Sequence, residues 1–205
     1  MTVNRDLMTK ARQQLKGMWG LSVGVTIIFF GISCVLNLIP KVGGIIDFII
    51  TGPFMIGITM FYLTVSRKQI APRVGQIFEG FNYFGTGFVA FLLMTIFILL
   101  WSLLLIIPGI VAGLSYAMTF FILAENPHTP GLEAIRKSKT MMKGYRWKLF
   151  CLHLRFIGWV ILGILSLGIG FLWIKPYFLT SLANFYIDIK GSAAQPATIT
   201  PSVSQ

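Results

Sequence analysis

The sequence predicts an all-α fold: a polytopic helical membrane protein with six transmembrane helices in three hairpins and amphipathic interfacial helices between them. Three observations carry this. Of the 205 residues, 56% are hydrophobic and only 11% charged, where a soluble domain carries about 25% charged residues. The mean hydropathy is +0.80. The apolar residues run in continuous stretches about one span long, unlike the short alternating segments of a barrel. With so little polar surface, the bilayer must serve as solvent, and there each segment has to satisfy its own backbone groups, which selects helices. The length fits one domain.

A span takes about 20 residues to cross about 30 Å of hydrocarbon. The first is read at 20–39 and is broken by Pro40, Lys41 and Gly43. The second, 44–65, ends at Arg67 and Lys68. The third, 84–107, turns at Pro108 and Gly109 into the fourth, 108–124, which stops at Glu125, Asn126 and Pro127. Pro108 suits a first helical turn. The fifth and sixth, 147–167 and 170–189, are separated by Leu167-Gly168-Ile169-Gly170, a natural hinge. Residues 1–190 form a single integral membrane domain. The segment 191–205 is mostly Ala, Pro, Ser, Thr and Gln and reads as a disordered cytoplasmic tail. About twenty mostly polar residues precede the first apolar run, and no small-x-small cleavage site follows it, so that run reads as a span and not as a signal peptide.

The formal net charge is +11. In a soluble protein that would suggest nucleic acid, but the basic residues fall between the spans and carry no nucleic-acid motif. Fourteen of the seventeen Lys and Arg lie in the N-terminus, the 66–73 and 125–148 loops and the C-terminus, whereas the three opposite connections carry only Lys41. Basic loops stay in the cytoplasm, so both termini are expected there.

Before each pair of spans lies a short amphipathic stretch. In 4–16, Leu7, Met8, Ala11 and Leu15, with Met18 just beyond, share one face beside Arg5, Lys10, Arg12 and Lys16. The second, 74–79, is shorter. In 129–143, Thr129 is placed to cap and Pro130 to open the first turn; Leu132, Ile135 and Met142 form the apolar side, and Arg136, Lys137, Lys139 and Lys143 the basic side. Each stretch ends in a glycine followed by aromatics: Gly17 with Trp19, Gly80 with Phe81 and Tyr83, Gly144 with Tyr145 and Trp147. Glycine is the usual left-handed helix stop, and Trp and Tyr favour the headgroup level. The pattern reads as three copies of one unit: interfacial helix, glycine turn, aromatic anchor, two-span hairpin.

Groups for catalysis are few. There are two histidines and six acidic residues, and no phosphate-cradling Gly-Lys loop, metalloprotease His pair or GxSxG elbow. His128 falls in a loop, and His153, early in the fifth span, reads as hydrogen-bonded packing. Cys34 and Cys151 each stand alone in apolar sequence, so neither metal nor disulfide is expected. Charges inside a membrane are costly and therefore functional suspects. The intramembrane polar candidates are Asp47, Lys175, Arg155, Glu125 and Asn184. Asp47 and Lys175 lie at similar depth and are candidates for an ion pair; Glu125 is a candidate partner for Arg155. Pro176 should kink the sixth span, and Thr180, Ser181 and Asn184 beyond it suit interhelical bonds or a substrate path. The candidate lipid-headgroup site is the basic set Arg136, Lys137, Lys139, Lys143, Arg146 and Lys148, which should attract anionic lipid at roughly 1 kcal/mol per residue.

The stretch Leu132-Glu-Ala-Ile-Arg-Lys-Ser-Lys-Thr-Met-Met-Lys-Gly144 resembles a signature of the DUF975 family of bacterial integral membrane proteins. So do Trp147-Lys-Leu-Phe150, Phe156-Ile-Gly-Trp159, Pro176-Tyr177, Phe185-Tyr186, Ile107-Pro108-Gly109 and the N-terminal Ala11-Arg12…Leu15-Lys16-Gly17-Met18-Trp19. The resemblance covers nearly the whole chain, most specifically its C-terminal half. That family is distantly similar to the membrane domain attached to some glycerophosphodiester phosphodiesterases, whose catalytic domain is not among these residues. The resemblance implies a bacterial cytoplasmic membrane and supplies no catalytic residues. The function expected is a lipid-interacting accessory or scaffold protein without enzymatic activity or cofactor. Its expected partners are anionic inner-leaflet lipids and a membrane or cytosolic protein, not nucleic acid. The alternative is a small-molecule or lipid transporter or permease subunit.

Overall fold

The computed structural model describes residues 2–68, 71–166 and 168–194, which are helical with no strand among them. In order, the helices are α1 (Asn4–Leu15), α2 (Trp19–Asn37), α3 (Gly43–Arg67), α4 (Gln76–Glu79) with a 3-10 turn Gly80–Tyr83, α5 (Phe84–Leu104), α6 (Ile106–Tyr116), α7 (Thr119–Glu125), α8 (Gly131–Met141), α9 (Arg146–Leu165) and α10 (Phe171–Ala194).

Five stretches are long and apolar enough to cross a membrane: α2, α3, the run Gln76–Leu104 holding α4 and α5, the run Ile106–Glu125 joining α6 and α7, and α9. The expected sixth, α10, is 24 residues long but is not among them. Lys175, Pro176, Asn184, Asp188 and Lys190 dilute its hydropathy. Its position explains the composition. Thr180, Ser181, Ala183, Asn184, Phe185 and Tyr186 are all buried against other helices, so α10 meets protein on faces where a lipid-facing helix needs hydrocarbon.

The helices sort into an inner and an outer set. Of the apolar window of α3, 61% is buried, against 17% for α2. The run α6–α7 and helix α10 join α3 inside, with α3 touching both α7 and α10; α2, α5 and α9 lie outside, packed respectively on α3, α6 and α10. The short helices close the arrangement. Helix α4 packs on α3, α8 on α7, and α1, the first element, on α10, the last. Each touches a long helix that precedes it in this cyclic order.

Aligned on Gly17 and Gly144, buried Asn4, Leu7, Ala11 and Leu15 fall on buried Gly131, Ala134, Ser138 and Met142. Both glycines have φ +88°, the left-handed stop the sequence predicts. Gly80 departs from that expectation. Its φ is −60°, and the chain runs on through the 3-10 turn into α5. Close approach is what it supplies: a Cβ there would lie 2.1 Å from Pro53 O, and one on Gly57 of α3 would lie 2.1 Å from Ile77 O. The segment Gln76–Tyr83 therefore lies backbone against backbone on α3.

Three boundaries also shift. The fourth predicted span is broken between Tyr116 and Thr119, and Ser138 of α8 fills the break: its Oγ donates to Ser115 O at 2.8 Å and accepts from Met118 N–H at 3.2 Å. Helix α8 begins at Gly131 with no side-chain cap, so Thr129 does not cap it. Helix α10 continues to Ala194, past the expected start of the tail at 191; residues 195–205 lie outside the described residues. The hinge is where the sequence puts it, with Gly168 at φ +88° and Ser166 Oγ accepting from Gly170 N–H at 2.8 Å; Leu167 lies outside the described residues.

Candidate functional site

Helix α8 buries Ala134, Ile135, Ser138 and, just past its end, Met142, while Arg136, Lys137, Lys139 and Lys143 are exposed on the other side. Lys137 pairs with Glu133 one turn away at 2.8 Å. Leu132, assigned to the apolar side, is 39% exposed. Helix α1 repeats the design: Leu7, Ala11 and Leu15 are buried, and Arg5, Lys10, Arg12 and Lys16 are exposed. The last two members of the predicted headgroup set behave differently. Arg146 is half-buried. Lys148 turns inward to Asp188 at 2.8 Å, with its Nζ 5.5 Å from the centre of the Phe185 ring.

Glu125 is the most enclosed acid of the basic end, its side chain 7% exposed. It accepts from Arg67 at the end of α3 and from Lys190 on α10, and Tyr186 Oη donates to its second oxygen at 2.6 Å. The Glu125–Arg155 pairing is thereby corrected. Arg155 is exposed on α9 and makes no hydrogen bond or ion pair among the described residues. A second buried chain runs beside this cluster. Asn184 donates to Gln14 Oε1 at 2.6 Å, and Gln14 Nε2 donates to Ser66 O at 2.6 Å, so that α10, α1 and α3 are joined across the core. Asp188 also accepts from Thr2 N–H at 3.3 Å, and Asn4 Nδ2 donates to Lys148 O at 2.8 Å.

The proposed Asp47–Lys175 ion pair does not form. Asp47 accepts from Ser33 Oγ at 2.9 Å and from Asn37 Nδ2 at 3.5 Å, both on the neighbouring α2. Lys175 Nζ lies 4.2 Å from the ring centres of both Phe29 and Phe30, a cation–π site. Each charge found a partner on α2 instead of the other. His153 Nδ1 lies 2.9 Å from Leu149 O, which makes that nitrogen the donor, in keeping with a packing role.

Sequence reasoning missed Gln14, Ser66, Ser138, Tyr186 and Asp188. Gln14 and Ser138 were legible as polar residues on the buried face of an amphipathic helix. Asp188, near the end of the predicted sixth span, was legible as a third acid beside Asp47 and Glu125. Nothing in the order of residues signalled that Ser66 would accept through its backbone. What the ensemble supplies is fixed charge and hydrogen-bond donors at one end of the bundle, with an apolar flank. Among the described residues no three His, Cys, Asp or Glu converge as a metal site.

No curated protein and no solved structure matches the chain. One family model does, over residues 1–112 and 103–193, described as a protein of unknown function (DUF975). On that coverage, which extends through the cyclic contact of α1 with α10, the chain belongs to the DUF975 family.

Proposed function

We propose that the chain is a six-span bacterial inner-membrane protein, three hairpins with both termini in the cytoplasm, that serves as a lipid-interacting accessory or scaffold protein without catalytic activity. The observation that carries this reading is the placement of charge. Eight cations on α1 and α8 or just past their ends are exposed, against the exposed acids Asp6 and Glu133 on the same helices, while Glu125 and Asp188, which would repel an anionic surface, are turned inward to Arg67, Lys190 and Lys148. Each exposed Lys or Arg adds roughly 1 kcal/mol of attraction to an anionic leaflet. The sixth span in this reading is α10, whose 24 residues would reach roughly 36 Å at 1.5 Å each. The same basic face would serve a membrane or cytosolic protein partner with an acidic surface.

A transporter or permease subunit is the second reading. One observation favours it: α10 carries Pro176 within the helix, and Asn184 Oδ1 is buried beyond it with no partner. Supporting the first reading, Thr180 and Ser181 donate to carbonyls of their own helix.

The test is lipid selection. The full chain is placed in nanodiscs of mixed phosphatidylglycerol and phosphatidylcholine, and the lipids retained on release are counted by native mass spectrometry. Retention enriched in phosphatidylglycerol, and reduced when Arg136, Lys137, Lys139 and Lys143 are all changed to Gln, is the expected result. Equal retention of the two lipids by the unaltered chain would sink the reading.

A further inference from the structure

A second feature involves no residue of the basic helix α8. Between α1, the start of α2 and the α9–α10 pair lies a cavity of about 370 Å³. Its walls are aromatic: Trp19, Trp159, Trp173 and Tyr177, with the Trp159 and Tyr177 rings edge to face at 5.9 Å. Its far end closes where α9 meets α10, around Gly163, Ser166 and Gly170. There the two helices leave no room, since a Cβ on Gly163 would lie 2.9 Å from Ile174 Cδ1. Its near end is Arg12, and from Arg12 and Trp19 a second cavity of about 500 Å³ continues along α1 past Thr9, Gln13 and Lys16.

The two cavities together have one cationic, hydrogen-bonding end and one dry aromatic end. No acidic side chain lines either. Arg12 and Lys16 are exposed, and their side chains make no hydrogen bond or ion pair among the described residues. A wholly polar anion would leave the aromatic walls facing water. A bare hydrocarbon would leave the guanidinium without a counter-charge. From Tyr177 to Gly170 the groove follows seven residues of α10, roughly 10 Å, in line with the direction an acyl chain takes from the interface. Tryptophan near a headgroup and an arginine above it is a common pairing at that level.

We propose that this groove is a binding site for one anionic phospholipid, with its phosphate on Arg12 and Lys16 and an acyl chain between Trp159, Trp173 and Tyr177. The site rests on the membrane-embedded reading given above, but on different residues from the α8 face.

Three of the five tryptophans line the groove, so the protein reports its own occupancy. The full chain is reconstituted in phosphatidylcholine nanodiscs with rising fractions of phosphatidylglycerol brominated on its acyl chains, and tryptophan quenching is followed. Quenching that saturates at a low fraction, and exceeds that from brominated phosphatidylcholine, is expected. R12Q/K16Q should raise the half-saturating fraction about tenfold or more, the loss of two headgroup cations. Leu162→Phe, filling the groove beside Trp159, should lower the saturating quench. An R12Q/K16Q curve superposed on that of the unaltered chain overturns the site. If the α8 variants still lose lipid enrichment in that case, the accessory function stands without the groove; equal quenching by the two brominated lipids likewise removes the groove alone, and equal retention of the two lipids removes the accessory function.

Discussion

Along α2, Ser22, Val25 and Thr26 are buried, and no residue of that helix after Thr26 is. Helix α5 shows the same division, with Gly87 and Ala90 buried near its start and nothing after them. At the α5–α6 turn Leu103, Leu104, Leu105, Ile106 and Ile107 are all more than 60% exposed. The half of the bundle beside α1 and α8 is thus packed and cross-tied by charge, and the far half is splayed and apolar. Protein contacts hold the first. The second presents apolar surface of an extent that is not left in water. Local rigidity should therefore differ along each long helix, and the anchoring half should decide whether the protein survives extraction.

Substitutions in the two halves separate these contributions. The largest effect is expected from Gly57→Leu, whose Cβ would meet the Ile77 backbone at 2.1 Å. Such a clash between backbones has no cheap relief and should cost more than about 4 kcal/mol, read as loss of a monodisperse peak in size-exclusion chromatography. Glu125→Gln comes next. Stranding a buried charge costs about 3–5 kcal/mol, but Arg67 and Lys190 are half-exposed, so a loss of about 2 kcal/mol in detergent unfolding is expected; an unchanged unfolding midpoint would show the cluster to be ornamental. Ser138→Ala should cost about 1–2 kcal/mol by stranding Met118 N–H and Ser115 O, with faster amide exchange at 116–119 as its signature. Smallest is Leu103→Ala in the splayed half, where Leu103 is 84% exposed. There a change within about 0.5 kcal/mol is expected, and a loss comparable to that of Glu125→Gln would erase the distinction between the halves.

The membrane-length helices and their order were legible because hydrocarbon imposes continuous apolar length, a property of composition alone. The glycine stops at Gly17 and Gly144 were legible because few residues tolerate φ +88°. Gly80 was misread by the same rule, because a glycine kept for close approach and one kept for handedness look identical in sequence. Helix α10 was read as an ordinary span, although its thinner hydropathy reflects burial among other helices. Charge partners were the least legible. Depth along a helix placed Asp47 near Lys175, but which side of the bundle each faces depends on how six long helices are arranged around one another, and that is set by packing at residues such as Gly52 and Gly57 farther along α3 and Gly87 on α5.

The closure of α1 on α10 has a consequence for how the molecule is made. Gln14 and Asn184, bonded in the core, are 170 residues apart. As the ribosome releases the chain, α4 and α8 each find their docking helix already synthesised, whereas α1 emerges long before α10 and must wait until that helix is out. Contacts of such separation form late. Helix α1 then seats only after α10, and a nascent chain stalled before α10 would hold α1 free, with Leu7, Ala11 and Leu15 unprotected and open to a chaperone or a protease.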